Sequence, residues 1–315
     1  MFDLIQDDLA AFEEALPREL ESSVAFIEAI GDNLVSAGGK RLRPSLAFLA
    51  GKLLGVKRES AMQVALTVEL LHSASLLHDD LIDDAETRRG SEAAFRRYGN
   101  VVSVMSGDYM LAKMFGILAD AHSSELIRLI SHTAADICEG EVLQFQMATL
   151  ETYSFENYFK VIEGKTAVLF AAALEGVAML ADTSSEQREA LRTFGMSYGR
   201  AFQMRDDYLD LLGDEAQIGK PIGGDLREGK ATYPVLLLFE KGVDEARRIV
   251  QRHARGDTDI PRMIELVREH GSDEATVAGI NEEIEAAVTA LDAFPDSDAK
   301  AQLVGLAQRE SVRVN

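Results

Sequence analysis

Tryptophan is absent from the 315 residues, cysteine occurs once and proline only 6 times. A single cysteine, Cys138, excludes an internal disulfide and suits a reducing compartment. Its helical, partly apolar neighbours suggest a small buried side chain. Scarce proline beside abundant alanine, leucine and glutamate favours a mostly helical protein. Basic residues are few: 32 Lys and Arg stand against 53 Asp and Glu, a formal net charge of −21. Such a surface repels phosphate backbones and argues against a nucleic-acid partner. The greasiest run, "TAVLFAAALEGVAMLA", is shorter than a membrane span and contains Glu175, so it predicts a buried helix. The N-terminal "MFDLIQDDLAAFEEAL" lacks the basic start and apolar core of a secretion signal. We therefore expect a cytoplasmic protein that is not integral to a membrane.

Helical periodicity runs nearly end to end, with breaks at 36–44, 53–60, 87–92, 96–100, 163–165, 181–187, 213–234, 254–261 and 293–300. No strand-like alternation, solenoid repeat or low-complexity linker appears. The pattern predicts one all-α domain over residues 1–315, with Ser, Thr or Asp at helix starts and Gly at helix ends. The break at 213–234 is long and rich in Gly and Lys, and connections of that length are often functional.

Two clusters of one residue type stand out. "LLHDDLIDDAETRRG" carries Asp79, Asp80, Asp83 and Asp84, and "FQMRDDYLD" carries Asp206, Asp207 and Asp210. Both contain D-D-x-x-D. On a helix, positions i and i+4 lie about 40° apart in rotation and about 6 Å apart in rise, so Asp79 stacks over Asp83 and Asp206 over Asp210. Each such like-charge pair costs roughly 0.2–0.5 kcal/mol even on an exposed helix. One acidic helix end is ordinary in so acidic a chain. Two copies of one spacing, each after an apolar turn, point to divalent cations. Hard oxygen donors without accompanying Cys or His ligands suit Mg²⁺, which takes one or two carboxylates per ion and leaves the rest to water and substrate phosphate. A second carboxylate pattern, Glu69 with His72 as E-x-x-H, resembles half of a di-iron site, but no second copy exists in the sequence.

The scarce cations gather beside glycine: Lys40, Arg41 and Arg43 in "GGKRLRP", Arg88 and Arg89 in "TRRG", Lys165 and Thr166 in "EGKT", and Lys220, Arg227 and Lys230 in "IGKPIGGDLREGK". Glycine lets backbone approach an anion, and Lys or Arg supplies the charge. Neither a Walker loop nor a dinucleotide-binding G-x-G-x-x-G is present. Phosphate would be gripped by metal ions and dispersed side chains.

These stretches, with "GDYMLAKMF" and "EGEVLQ", resemble the trans-prenyltransferase (polyprenyl synthetase) family of isoprenyl diphosphate synthases. They follow the family's order from Gly38 to Pro234. The resemblance implies an all-helical bundle around a deep central cavity, and a homodimer. It implies Mg²⁺ ligation by Asp79 and Asp83 with Asp80 supporting, and by Asp206 with Asp207 and Asp210 in its shell. Arg88, Lys165, Thr166, Gln203, Lys220 and Lys230 would bind the allylic diphosphate. Lys40, Arg43, His72 and Arg89 would bind isopentenyl diphosphate. Catalysis would rest on Asp79, Asp83, Asp206, Lys165 and Lys220.

A class I terpene cyclase also ionises a prenyl diphosphate, but it does not need a second diphosphate site such as "GGKRLRP" and Arg88–Arg89 suggest. A non-catalytic partner subunit would be expected to lose aspartates that this chain keeps. For product length, Ser75 and Leu71 lie one and two turns before Asp79 on its helix, with Ala74 beside them. In the family resembled, bulky aromatics at the positions of Ala74 and Ser75 close the product tunnel. Two small residues here predict an open tunnel and a product longer than C15, C20 or more.

Overall fold

A computed structural model describes residues 3–36, 39–88, 91–215 and 221–311. After a 3₁₀ turn come α1 (Gln6–Leu20), α2 (Ala25–Ser36), α3 (Leu42–Leu54), α4 (Arg58–Ile82), α5 (Ala94–Tyr98) and α6 (Asn100–Asp120). Next are α7 (Ser124–Leu150), α8 (Phe155–Ile162), α9 (Val168–Met179) and α10 (Ser185–Leu212). The chain continues with α11 (Gly224–Arg227), α12 (Tyr233–Glu240), α13 (Asp244–Gln251), α14 (Asp259–Glu269), α15 (Ser272–Ala290) and α16 (Asp298–Gln308). Helix accounts for nearly every described element, as composition predicts. The one departure is a two-stranded ribbon in which Thr87–Arg88 pairs antiparallel with Ser91–Glu92. Strands of two residues are too short to leave an alternating pattern.

The chain forms two compact units. One comprises residues 1–132, 172–191 and 294–303, and the other 133–171, 192–293 and 304–315. In the first, α4 is apolar around most of its circumference because it packs against both α3 and α6. It buries Val64, Val68, Leu70, Leu71, Ala74 and Leu77. The greasiest run behaves as predicted: α9 is buried, and its Glu175 is only 6% exposed. Arg188 satisfies that carboxylate at 3.0 Å, so the charge is buried as a pair.

Three expectations change. Cys138 is exposed on α7. That helix leaves much of its surface open, including Val142, Phe145 and Leu150, so apolar neighbours do not imply burial there. The break at 163–165 is not an interruption but a π-helical turn, Glu163–Ala167, joining α8 to α9. Its Gly164 lies against Gly140 of α7; a Cβ on Gly164 would stand 2.7 Å from the Asp136 carbonyl oxygen. The helices meet there backbone to backbone, and only glycine fits. Finally, α6 is long and apolar enough to cross a membrane, although no such span was expected. Its apolar character has two sources: Met110, Met114, Ile117 and Leu118 are buried, whereas Val101, Met105 and Phe115 form an exposed line at helical spacing.

Candidate active site

In the first unit, α4 ends at Ile82, and Asp83 caps it with its N–H donating to the Asp79 carbonyl at 2.8 Å. The i,i+4 relation expected for these two aspartates is therefore kept. Asp79 is half-buried and Asp83 exposed. Asp80 points inward, only 2% exposed, and is ion-paired with Arg88, whose Nε donates to its Oδ1 at 2.7 Å. This division suits Asp80 as a support and leaves Asp79 and Asp83 nearer solvent. Asp84 adopts a left-handed backbone (φ 52°) and pairs with Arg96 at 2.6 Å. Arg88 is thus placed beside the first aspartate cluster. Arg89 lies outside the described residues.

The basic segment of the first unit is bent at Arg41, which begins α3 as a left-handed N-cap (φ 45°, ψ 39°). No Ser, Thr or Asp caps this helix. Lys40 is exposed, Arg41 is buried and Arg43 is half-buried. The Arg41 guanidinium bonds Glu13 at 2.7 and 3.1 Å and Glu69 at 2.7 Å. Glu69 therefore has an ion-pair partner in the residue that caps α3. His72 is half-buried, and its carbonyl accepts from the Ser75 hydroxyl at 2.9 Å. Leu71 and Ala74 are buried, and Ser75 is half-buried.

The second unit contains a cavity of about 130 Å³. Lys165, Thr166, Gln203, Asp207 and Lys230, each singled out from sequence, line it together. They come from the π-helical turn, α10 and the connection before α12. The Thr166 hydroxyl donates to Gln203 Oε1 at 2.8 Å, and Gln203 Nε2 donates to Asp207 Oδ1 at 2.9 Å. The Tyr158 hydroxyl donates to Asp207 Oδ2 at 2.7 Å. Both oxygens of this buried carboxylate are thereby fixed. Lys165 pairs with Glu141 at 2.5 Å, and Lys230 pairs with Glu228. Met147, Val161 and Ile162 supply an apolar wall. None of Leu71, Ala74 and Ser75 lines this cavity.

The remaining aspartates of α10 differ. Asp206 is exposed, whereas Asp210 is 6% exposed and accepts the Asp225 backbone N–H at 3.0 Å through Oδ2. Its carbonyl accepts from Gly223, whose φ of 77° requires glycine, at 2.6 Å. Asp210 thus anchors the connection that begins α11. Lys220 lies outside the described residues.

Sequence reasoning passed over Tyr158, Glu141 and Asp225. Asp225 lies within a segment chosen for its cations, Tyr158 shortly before another, and Glu141 within "EGEVLQ", yet their partners are 49 (Tyr158), 24 (Glu141) and 15 (Asp225) residues away and leave no local spacing. Burial pushes the Asp207 carboxyl up to about 6, against hydrogen bonds from Tyr158 and Gln203 that oppose the rise. Burial, together with Asp207 and Asp210, pushes Asp225 up to about 8. Burial and the Asp207 charge raise the Tyr158 phenol.

A stability prediction follows for the metal-free protein. Unfolded Asp225 loses its proton near pH 4, while the folded protein holds it to about 8. Between those values folding binds a proton, so stability falls as pH rises. Asp225→Asn removes this slope. In EDTA the variant should melt a few °C above the parent at pH 8 and level with it near pH 4. Parallel melting profiles would contradict the burial of this charge.

The donor set fits a hard divalent cation. Among the described residues no three His, Cys, Asp or Glu side chains gather as a self-sufficient metal cage. Mg²⁺ does not need one, since one or two carboxylates suffice when substrate phosphates and water complete the octahedron.

Comparison with known proteins places this geometry. The family model for polyprenyl synthetase matches residues 24–269. Octaprenyl diphosphate synthase of Escherichia coli (strain K12) is 35% identical over 97% of this chain and 95% of its own length. The all-trans-nonaprenyl-diphosphate synthase (geranyl-diphosphate specific) of Rhodobacter capsulatus is 35% identical, covering 96% of this chain and 94% of that protein. The crystal structure of polyprenyl synthase from Caulobacter crescentus CB15, complexed with calcium and isoprenyl diphosphate, superposes with a TM-score of 0.91 at 35% identity over 98% of this chain and 96% of that one. The fold is the all-α isoprenoid synthase fold. Agreement in sequence over most of the chain and in backbone over nearly all of it shows that this chain belongs to the polyprenyl synthetase family.

Proposed function

We propose that this chain is a Mg²⁺-dependent trans-prenyltransferase acting as one domain over residues 1–315. It condenses isopentenyl diphosphate with an allylic diphosphate to give an all-trans prenyl diphosphate longer than C20. The observation that carries the reading is the convergence of Lys165, Thr166, Gln203, Asp207 and Lys230 on one cavity. Relatives named for octaprenyl and nonaprenyl products support a long chain.

Asp79 and Asp83, with Asp80 held behind them by Arg88, would carry metal at the end of α4. Asp206 would carry it on α10, with Asp207 and Asp210 beneath. Bound there, a divalent cation neutralises the charge that develops on the leaving diphosphate. Lys165, Thr166, Gln203 and Lys230 orient the allylic diphosphate, a role that the family resemblance also implies for Arg88 and Lys220. Lys165 and Lys230 already face carboxylates, Glu141 and Glu228, which a diphosphate would replace. Lys40, Arg43, His72 and Arg89 orient isopentenyl diphosphate. The allylic C–O bond breaks and pyrophosphate departs with the electron pair. The isopentenyl double bond attacks the allylic carbon, and the proton then lost passes to pyrophosphate, so no side-chain base is required. Met147, Val161 and Ile162 help keep out water that would quench the cation.

The exposed line of Val101, Met105 and Phe115 on α6 supports a homodimer burying that face. This offers an alternative to a membrane for the apolar helix and fits a cytoplasmic enzyme. Removing metal tests the chemistry. EDTA should abolish condensation and excess Mg²⁺ should restore it. Undiminished turnover in EDTA would overturn the metal assignment.

A further inference from the structure

We infer that Arg41 is a positioning residue for isopentenyl diphosphate, acting as a joint that aims Lys40 and Arg43 and ties them to the helix bearing His72. The inference rests on the reading of Lys40, Arg43 and His72 as ligands of that substrate. Arg41 itself stands only 8% exposed, so it is not offered as a ligand.

Three observations point this way. The backbone at Arg41 is left-handed (φ 45°, ψ 39°), a conformation that residues with a Cβ avoid unless the surroundings enforce it. The side chain supplies that enforcement. Its Nε and one terminal nitrogen grip both oxygens of Glu13 on α1, at 2.7 and 3.1 Å, while the other terminal nitrogen donates to Glu69 on α4 at 2.7 Å. The guanidinium also lies 5.9 Å from the centre of the Phe12 ring. Behind the bend, the Arg41 carbonyl accepts from both the N–H (2.9 Å) and the hydroxyl (2.7 Å) of buried Ser45, locking the start of α3.

The consequence is directional. With Arg41 drawn inward, Lys40 on one side remains exposed and Arg43 sits half-buried in the first turn of α3. Glu69 lies three residues, just under one turn, before His72 on α4. One guanidinium therefore holds the basic bend in register with the helix that carries the third ligand. A fork with donors in two directions is required. Lysine keeps the charge but, as a point donor, cannot grip Glu13 bidentately while reaching Glu69.

Steady-state kinetics on the full chain with radiolabelled isopentenyl diphosphate separate this role from general destabilisation. Arg41→Lys should raise KM for isopentenyl diphosphate about tenfold, while kcat and the allylic KM stay within about twofold. Glu13→Gln, which weakens half of the grip at a partly exposed side chain, should raise the same KM about threefold and serves if Arg41→Lys does not fold. Lys40→Ala is the control for the underlying reading. If it raises the isopentenyl diphosphate KM but Arg41→Lys and Glu13→Gln leave it unchanged, the positioning role is overturned and the substrate assignment stands. If Lys40→Ala leaves that KM unchanged, the assignment fails and the positioning role with it. A parallel rise in both KM values with a fall in kcat would reduce Arg41 to a merely structural residue.

Discussion

Asp206→Ala should lower kcat on the order of a hundred- to a thousandfold while leaving the KM for isopentenyl diphosphate nearly unchanged. The same is expected of Asp79→Ala. On the proposed reading each change removes a carboxylate that holds metal against the leaving diphosphate, and neither removes a cation that holds substrate. Asp206 is exposed and Asp79 half-buried, and both stand on the helix ends that carry the D-D-x-x-D clusters. Folding should not suffer: losing one member of a like-charged cluster relieves repulsion of about 0.2–0.5 kcal/mol per neighbouring pair. Single-turnover measurements with saturating substrates, alongside thermal melts, check both halves. Near-parental kcat in Asp79→Ala would show that the first aspartate cluster does not carry the metal.

Ala74→Phe should shorten the product while leaving diphosphate binding intact. The growing chain must leave the aspartates along α4 into apolar surroundings, and Ala74 lies just over one turn before Asp79. Ala74 is 1% exposed and Leu71 is 4% exposed. Phenylalanine there must displace neighbours, which typically costs about 1–3 kcal/mol. The opposite reading, in which Ala74 and Ser75 only permit close helix packing, predicts the loss of stability without a change in product. Chromatography of the dephosphorylated products therefore decides between them. An active Ala74→Phe enzyme with the parental product distribution would place the growing chain against another wall.

Much of the fold is legible in the amino-acid sequence. Strong 3.6-residue periodicity revealed the helices, because buried helices need apolar residues at that spacing. Repetition of D-D-x-x-D marked the two helix ends as candidate metal sites, since a self-repelling cluster that occurs twice points to a ligand. Lys165, Thr166, Gln203 and Lys230, which the family resemblance implies for one diphosphate, line one cavity together with Asp207 of the second aspartate cluster.

What escaped was long-range or depended on which face is covered. Glu13 on the first helix meets Arg41 across 28 residues, with nothing local to announce the pair. Tyr158 was one aromatic among several until its hydroxyl proved to hold Asp207. Cys138 resembled a core residue because pattern alone cannot say which helical faces remain open. The π-helical turn at Glu163–Ala167 looked like a break because glycine ordinarily ends helices. Here it allows a close approach to α7 instead, one of the positions where local propensity and tertiary packing disagree.

The most direct test of the central claim is to incubate the purified protein with Mg²⁺, radiolabelled isopentenyl diphosphate and an allylic diphosphate primer, then resolve the products by chain length. The account predicts label in linear all-trans prenyl diphosphates longer than C20, dependent on both substrates. A cyclic hydrocarbon formed from the primer without incorporation of label, or no product at any primer length, would contradict it.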